Sequence, residues 1–559
     1  MFYRPIGVSS ASRRRDATVR RRQRLARLAA ALALIAFVAG VIAGATPTPP
    51  SYPRRLAERF VAAWARGNYP AMYAAIDSAA QQELSESAFA AVYHEADVTA
   101  TLTRRQVLGG PRSVPGRSQL LSVPVRMHTL MFGTLSADFT LPIVGHGDGV
   151  RIGWSRTLLF PGLRPGEQLT RDTIVPPRAP LLARDGTSLA EGAGVPASLL
   201  DAFESRLRGT TGGRLYAGQR LLASATPHAA PSLRTSIDPA VQRAAVEALG
   251  GQYGGVVALD PSSGQILAVA GIGLEAVQPP GSTFKMVTVS AALAAHLATP
   301  HTVFPYATYT TLDGVKLSNA NGEDCGGSLE LAFAVSCNSV FAPLGVRVGA
   351  ARLVATAEDF GFNHPPGVPG AAESTLPPAT RIEGELDVGS TAIGQGQVSA
   401  SALQMATVAA TIADGGERPQ PTFSLSDASS TTVRAISPSV ARTVRHFMIA
   451  VVREGTGTAA AIPGVTVAGK TGTAELGGPE ACKGAAETSA ATGSGASAAT
   501  GAGGCAASNA PQNTDAWFAA FAPALHPRIV VGVLMVRDGA GGATAAPVAR
   551  QVLEAGLRR

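Results

Sequence analysis

The sequence predicts a mixed α/β protein in four parts: a single N-terminal membrane helix, a small α+β domain, a linker subdomain and a large C-terminal domain. Three observations predict it. An uncharged apolar run follows an arginine block near the N-terminus. Residues 51–160 pass from helical to strand-like periodicity. Strand-like segments then occur at both ends of a long, mostly helical C-terminal stretch. With 46% apolar and 5% aromatic residues, the 559-residue chain has ample material for packed cores.

Residues 1–27 hold nine arginines and one aspartate, which accounts for the whole net charge of +8; basic and acidic residues cancel over the remainder. The folded body therefore needs no basic patch, and a nucleic-acid partner loses its main support. Residues 28–45 carry neither charge nor proline and are closed by Thr46-Pro-Thr-Pro-Pro50. Eighteen residues approach the lower limit for a membrane span. The arginine flank places residues 1–27 in the cytoplasm and everything after Pro50 outside. A cleaved signal peptide is the rival reading, because Ala43-Gly-Ala45 resembles a cleavage site.

Leu56, Phe60, Val61 and Trp64 recur at helical spacing, with Tyr69 and Met72 beyond a Gly67-Asn68 break. Residues 98–160 alternate like strands, and together these describe the small α+β domain, 51–165. Residues 166–234, rich in Pro, Arg and Gly, suit a linker or reduced subdomain. From 235 onward the segments 241–249 (helix), 255–259 and 265–269 (strands), 516–521 and 529–536 (strands) and 547–557 (helix) suggest one sheet assembled from distant parts, with helices packed on it. Residues 483–504 are an Ala/Gly/Ser/Thr tract that reads as a loop.

Four lysines stand against 43 arginines: Lys285, Lys316, Lys470 and Lys483. Guanidinium stays charged in proteins, whereas a desolvated ammonium can release its proton and act as a base. Lys285 follows Ser282 by three residues, so on a helix the amine and the hydroxyl share one face. A nucleophile beside a base is the minimum for acyl transfer without histidine. Two further elements follow in order, Ser336-Cys-Asn338 and Lys470-Thr-Gly-Thr473.

This ordered set, SxxK, SxN and KTG, resembles the signature of penicillin-binding proteins and serine β-lactamases. The chain resembles a class B penicillin-binding protein over about residues 235–559, with flanking similarity in Asp260-Pro-Ser-Ser-Gly-Gln-Ile-Leu-Ala268, Gly394-Gln-Gly396 and Ala413-Asp-Gly-Gly416. Residues 51–165 look like the NTF2-like N-terminal domain of some members. Cys337 fills the position where the named pattern has aspartate. The resemblance implies an antiparallel sheet flanked by helices plus an all-helical part.

It also implies the roles. Ser282 is the nucleophile and Lys285 its base, with a neighbouring cation, Lys470, helping to lower its pKa. Ser336 relays a proton to the leaving amine, and Asn338 bonds the substrate amide. Thr471, Gly472 and Thr473 form the strand that receives the substrate, its carboxylate on the two hydroxyls. The backbone N–H groups of Ser282 and Thr473 form the oxyanion hole. Blander roles exist for each: Ser282 as a helix N-cap, Ser336 and Asn338 as turn formers, Gly472 as a bulge glycine.

Gly464-Val-Thr-Val-Ala-Gly-Lys-Thr471 fits the phosphate-binding-loop pattern, but its middle is strand-like and Thr-Gly-Thr follows where a helix should start. Glu373-Ser-Thr-Leu376 imitates the ExxLN element of β-lactamases, yet Pro377 replaces the asparagine. No histidine triad, metal or cofactor is implied. The spacing of the four cysteines suggests Cys325–Cys337 and Cys482–Cys505, one of three possible pairings, with a buried core thiol as the alternative for Cys337.

The expected function is a membrane-anchored, extracytoplasmic D,D-transpeptidase of the bacterial cell wall, acting on peptidoglycan stem peptides and acylated by β-lactams. Family resemblance implies cooperation with a membrane glycan polymerase. The alternatives are a D,D-carboxypeptidase or β-lactamase, and a penicillin sensor or scaffold that does not turn over.

Overall fold

A computed structural model describes residues 29–34, 51–189, 194–425, 432–476 and 513–559. Of the expected membrane segment only residues 29–34 are described, and they are helical. Among the described residues no single helix is long and apolar enough to cross a membrane. Cys482, Cys505 and the 483–504 tract lie outside the described residues. The chain divides into two compact units, Met1–Val175 with Thr211–Pro227, and Pro176–Thr210 with His228–Arg559.

In the first unit, helix α1 (Tyr52–Arg66) buries Leu56, Phe60, Val61 and Trp64 along one stripe and stops at Gly67, which takes the left-handed conformation at φ 66°. Helix α2 (Glu86–Thr99) is capped by Ser85, whose hydroxyl accepts from the Ala88 amide. Four strands follow in antiparallel order, β1 (Leu102–Val107), β3 (Arg117–Thr129), β4 (Gly133–Val144) and β5 (Arg151–Ile152), with β2 (Arg112–Val114) pairing on β3. Leu121, Val123, Val125 and Met127 alternate inward along β3 and meet Phe60, Trp64, Phe89 and Phe139. The expected linker stretch contributes to both units. Strands β6 (Leu169–Ile174), β7 (Gly212–Ala217) and β8 (Arg220–Ala225) form a three-stranded sheet of the first unit, and the helix Ala197–Leu207 belongs to the second.

The second unit is organised by one antiparallel five-stranded sheet drawn from distant segments, as the strand-like runs suggested. Its strands are β9 (Gly254–Leu259), β10 (Ile266–Gly271), β11 (Ala468–Glu475), β12 (Thr514–Ala522) and β13 (Ile529–Met535), in the order β10-β9-β13-β12-β11. All five are almost wholly buried on both faces, and alternate residues supply two separate cores. Val256, Ala258, Phe518 and Val533 pack with α3 (Pro239–Leu249) and α9 (Ala545–Leu557). Val257, Leu259, Trp517 and Leu534 pack toward the helical part. That part contains α4 (Lys285–Ala294), α5 (Leu329–Ala334), α6 (Asn338–Val348), α7 (Ala402–Ala413) and α8 (Pro438–Glu454). Every residue of α4 from Lys285 to Leu293 is buried, so α4 is an interior helix with no polar face. Burial of that kind makes any ionisable group on α4 abnormal.

Candidate active site

Ser282 sits in a single 3₁₀ turn, Gly281–Phe284, which leads directly into α4. Three residues per turn bring positions 282 and 285 onto one edge more closely than an α-helix would. The expected helix from Ser282 is thus 3₁₀ in its first turn, and the N-cap position of that turn is Pro280. Gly281 has φ 51°, and a Cβ there would lie 2.6 Å from the Thr473 carbonyl oxygen. Glycine is what lets the turn carrying Ser282 lie flat against β11. The reverse contact is as close, since a Cβ on Gly472 would lie 2.6 Å from Pro280 O and 3.0 Å from Trp517 Cβ. Gly472 is therefore placed for backbone approach in a regularly paired strand, opposite Trp517, and the bulge alternative does not describe it. On the other side, the Gly281 amide donates to Gly394 O at 2.9 Å, and a Cβ on Gly394 would lie 2.0 Å from Gly281 O.

Ser336 is positioned by the end of α5. The Cys337 amide donates to Ala332 O at 2.8 Å and the Ser336 amide to Phe333 O at 3.1 Å, with Ser336 itself at φ 65°. These are the two bonds of a Schellman motif, with serine at the left-handed position that glycine usually fills. A non-glycine residue held there costs free energy, and such positions cluster at functional sites. Cys337 is disulfide-bonded to Cys325, the pairing suggested by spacing, so a covalent link anchors the residue between Ser336 and Asn338. Asn338 opens α6; its Oδ1 accepts from Lys285, and its Nδ2 donates to Ser318 O at 3.0 Å.

Both lysines are wholly buried. Lys285 Nζ donates to Ser336 O at 2.6 Å and to Asn338 Oδ1 at 2.7 Å, with a longer contact to Ser336 Oγ at 3.3 Å. Lys470 Nζ donates to Ser336 Oγ at 2.9 Å and Thr471 O at 3.0 Å. Each amine stands 5.5 Å from a ring centroid, Phe341 for Lys285 and Phe333 for Lys470. Desolvation, and secondarily the charge of Lys470, holds the Lys285 amine well below the usual range. Burial pushes Lys470 down to about 7. Two ammonium groups bonded to one hydroxyl repel each other, and burial of both favours the loss of one proton from the pair.

The arrangement divides the hydrogens. A neutral Lys285 has two, which the 2.6 and 2.7 Å bonds consume, leaving the nitrogen lone pair uncommitted. Ser336 Oγ accepts from Lys470, so its own hydrogen remains available to the cleft. Along β11, Thr473 Oγ1 accepts from the Gly541 amide at 3.4 Å, and Thr471 Oγ1 lies 2.5 Å from Thr456 Oγ1. Thr456, Gly394 as a contact of the nucleophile's turn, and Gly541 were not legible as site residues. The available signal was small: a threonine between two glycines at Gly455-Thr-Gly457, and the Gly539-Ala-Gly-Gly542 run. The phosphate-loop match has no such architecture, because Lys470 and Thr471 lie within β11, which continues as strand from the lysine to Glu475 where a helix should start. Glu373 is exposed.

Comparison with known proteins agrees with this geometry. The family described as penicillin binding protein transpeptidase domain matches residues 254–554, over half of the chain. The NTF2-like N-terminal transpeptidase domain matches residues 52–167. The peptidoglycan D,D-transpeptidase PbpA of Mycolicibacterium smegmatis is 35% identical over 390 residues, covering 58% of this chain and 72% of its own length. MrdA of Haemophilus influenzae, also named a peptidoglycan D,D-transpeptidase, is 27% identical over 443 residues, covering 63% of this chain and 61% of its own. The D,D-transpeptidase domain of a peptidoglycan glycosyltransferase from Eggerthella lenta superposes with a TM-score of 0.53 at 28% identity, covering 69% of this chain and 98% of that one. With the serine–asparagine element bonded to both Lys285 of the serine–lysine element and Lys470 of the lysine–threonine strand, and a family match over residues 254–554, the chain belongs to the penicillin-binding transpeptidases, with an NTF2-like domain at residues 52–167.

Proposed function

We propose that this chain is a class B peptidoglycan D,D-transpeptidase in which Ser282, Lys285, Ser336, Asn338 and Lys470 do the chemistry and Thr471, Gly472 and Thr473 seat the substrate. The observation that carries the reading is the hydrogen division at Lys285. Its two donors are engaged by Ser336 O and Asn338 Oδ1, which leaves its lone pair uncommitted three residues after Ser282, where the 3₁₀ turn runs into α4. Ser282 Oγ attacks the penultimate D-Ala carbonyl of a stem peptide while its proton passes to Lys285 Nζ. The backbone N–H groups of Ser282 and Thr473, on segments in contact through Gly281, hold the developing oxyanion. Ser336 gives its hydrogen to the departing D-Ala amine and is resupplied by the proton that Lys285 took from Ser282, across the 3.3 Å contact between Lys285 Nζ and Ser336 Oγ. An amine from a neighbouring stem then attacks the ester, the proton path runs backward, and a cross-link forms. Lys470 keeps its charge and, with the Thr471 and Thr473 hydroxyls, receives the terminal carboxylate.

The arginine block and the uncharged 28–45 segment support anchoring in the bacterial membrane with the catalytic unit outside. The domain plan that accords with this is a cytoplasmic tail (1–27), an anchor (28–45), an NTF2-like domain (51–165), a linker (166–234) and a transpeptidase domain (235–559). Peptide cross-linking needs nascent glycan strands, which supports a membrane glycan polymerase as partner.

The test is fluorescent penicillin labelling of wild type and Ser282→Ala, followed by incubation with a stem peptide and an amine acceptor. Labelling abolished in a folded Ser282→Ala protein, and cross-linked dimer from wild type, are the expected results. Labelling that survives the substitution defeats the nucleophile assignment. Hydrolysed product without cross-link would make the enzyme a carboxypeptidase, and a stable acyl-enzyme without turnover a sensor.

A further inference from the structure

Thr456 lies in the turn after α8 and reaches two parts of the site that are far apart in sequence. Its amide donates to Ala334 O at 3.1 Å, a carbonyl in the last turn of α5, just before Ser336. Its hydroxyl lies 3.4 Å from that same carbonyl and 2.5 Å from Thr471 Oγ1. The position is tightly determined. A Cβ on Gly455 would lie 2.2 Å from Ala334 O, and one on Gly542 would lie 2.2 Å from Thr456 O. Thr456 is exposed while Thr471 is buried, so the pair runs from the surface into the substrate strand.

At 2.5 Å one hydroxyl of the pair donates to the other, and two arrangements exist. In the first, Thr471 donates to Thr456, and Thr456 donates to Ala334 O. In the second, Thr456 donates to Thr471, and the Thr471 hydrogen points away from the pair. Among the described residues Thr471 Oγ1 has no acceptor other than Thr456 Oγ1, so the first arrangement satisfies more groups in the free enzyme. Only the second makes Thr471 a donor to a ligand. Switching costs little, because the 3.4 Å contact is long and the Thr456 amide keeps Ala334 O satisfied.

We propose that Thr456 is a positioning residue for carboxylate recognition: its hydroxyl turns from Ala334 to Thr471 when an anionic substrate arrives, freeing the Thr471 hydrogen to donate to the substrate's terminal carboxylate. The proposal rests on the reading that Thr471 and Thr473 seat that carboxylate. No bond to heavy atoms is made or broken; two hydroxyl rotors reverse together.

The experiment measures second-order acylation constants for benzylpenicillin and for its methyl ester with wild type, Thr456→Val and Thr456→Ser. Valine keeps the branched shape and removes the hydroxyl, while serine keeps the hydroxyl. Thr456→Val is expected to lose ~3–10-fold on the acid, the worth of one modest hydrogen bond, and to react with the ester at the wild-type rate. Thr456→Ser is expected to recover the acid rate. The acid-to-ester ratio is taken within each variant, so a partly unfolded preparation does not distort it. Equal losses on acid and ester, an unchanged acid rate, or no recovery with serine overturn the role of Thr456. A wild type that does not distinguish acid from ester defeats the carboxylate reading itself, which separates the two failures.

Discussion

Exchanging each motif lysine for arginine separates a group that must release its proton from one that must keep it. Lys285→Arg retains positive charge and removes the base, since guanidinium does not deprotonate in proteins. Loss of general-base help costs ~10²–10⁴ in rate, and the larger fork cannot fit the 2.6 and 2.7 Å bonds that hold the amine. Lys470 supplies charge, which arginine also carries, so Lys470→Arg is expected to acylate with β-lactam faster than Lys285→Arg. The pH profile adds a second readout. Acylation needs Lys285 neutral, so the rate falls on acidification through its lowered pKa; it needs Lys470 charged, so the rate falls again as pH rises through about 7. One pH unit above that value ~10% of Lys470 remains protonated, giving wild type a steep alkaline limb. Arginine at 470 does not titrate there, and the limb is expected to vanish. Stopped-flow acylation between about pH 5 and 10 measures both effects. Equal rates for the two variants, the reverse order, or an alkaline limb that survives in Lys470→Arg would refute the assignment.

Gly472→Ala places a methyl 2.6 Å from Pro280 O and 3.0 Å from Thr283 Cγ2, so β11 must retreat from the nucleophile's turn. A stability loss of ~1–3 kcal/mol in urea unfolding, with slower acylation, is expected; wild-type behaviour in both would mean the contact is slack. Non-reducing peptide mapping of exported protein is expected to recover Cys325 linked to Cys337, and reduction should slow acylation because the tether flanks Ser336 and Asn338. Unchanged acylation after verified reduction would leave the link without a part in the site. Nucleotide titration of the catalytic unit with magnesium is expected to show no saturable ATP binding, since Lys470 lies within a strand; micromolar affinity would reverse that.

Side-chain chemistry was legible where it depended on residue type at fixed spacing. Lys285, Ser336, Asn338 and Lys470 are joined by hydrogen bonds, the Ser282 turn leads directly into Lys285, and the sheet joins segments as remote as 254–259 and 529–535. What escaped was conformation imposed by neighbours. Nothing in Phe333-Ala-Val-Ser-Cys337 announces a left-handed serine, because that position ordinarily signals itself with glycine. The 3₁₀ turn at Gly281–Phe284 was hidden because its residues also fit an α-helix. Residues 169–174 and 212–225 looked like linker because their strands are short and partly exposed, and they gain partners only from one another. Thr456 contacts Ala334 and Thr471, 122 and 15 positions away, and no local pattern encodes that convergence.

The scarcity of lysine now has a structural cause. Two cations held against one hydroxyl in an apolar interior would strongly destabilise the fold if both kept their charge. The site is tolerable because one of them can become neutral, and that requires an amine at position 285. The group that yields its proton to relieve this repulsion is then deprotonated beside Ser282, with its remaining hydrogens fixed by Ser336 and Asn338. Burial of Lys285 and, secondarily, the charge of Lys470 hold that amine well below its usual range. An anion seated beside Lys470 would stabilise that lysine as a cation while offsetting part of the field it sets at Lys285, so burial is what must keep Lys285 neutral.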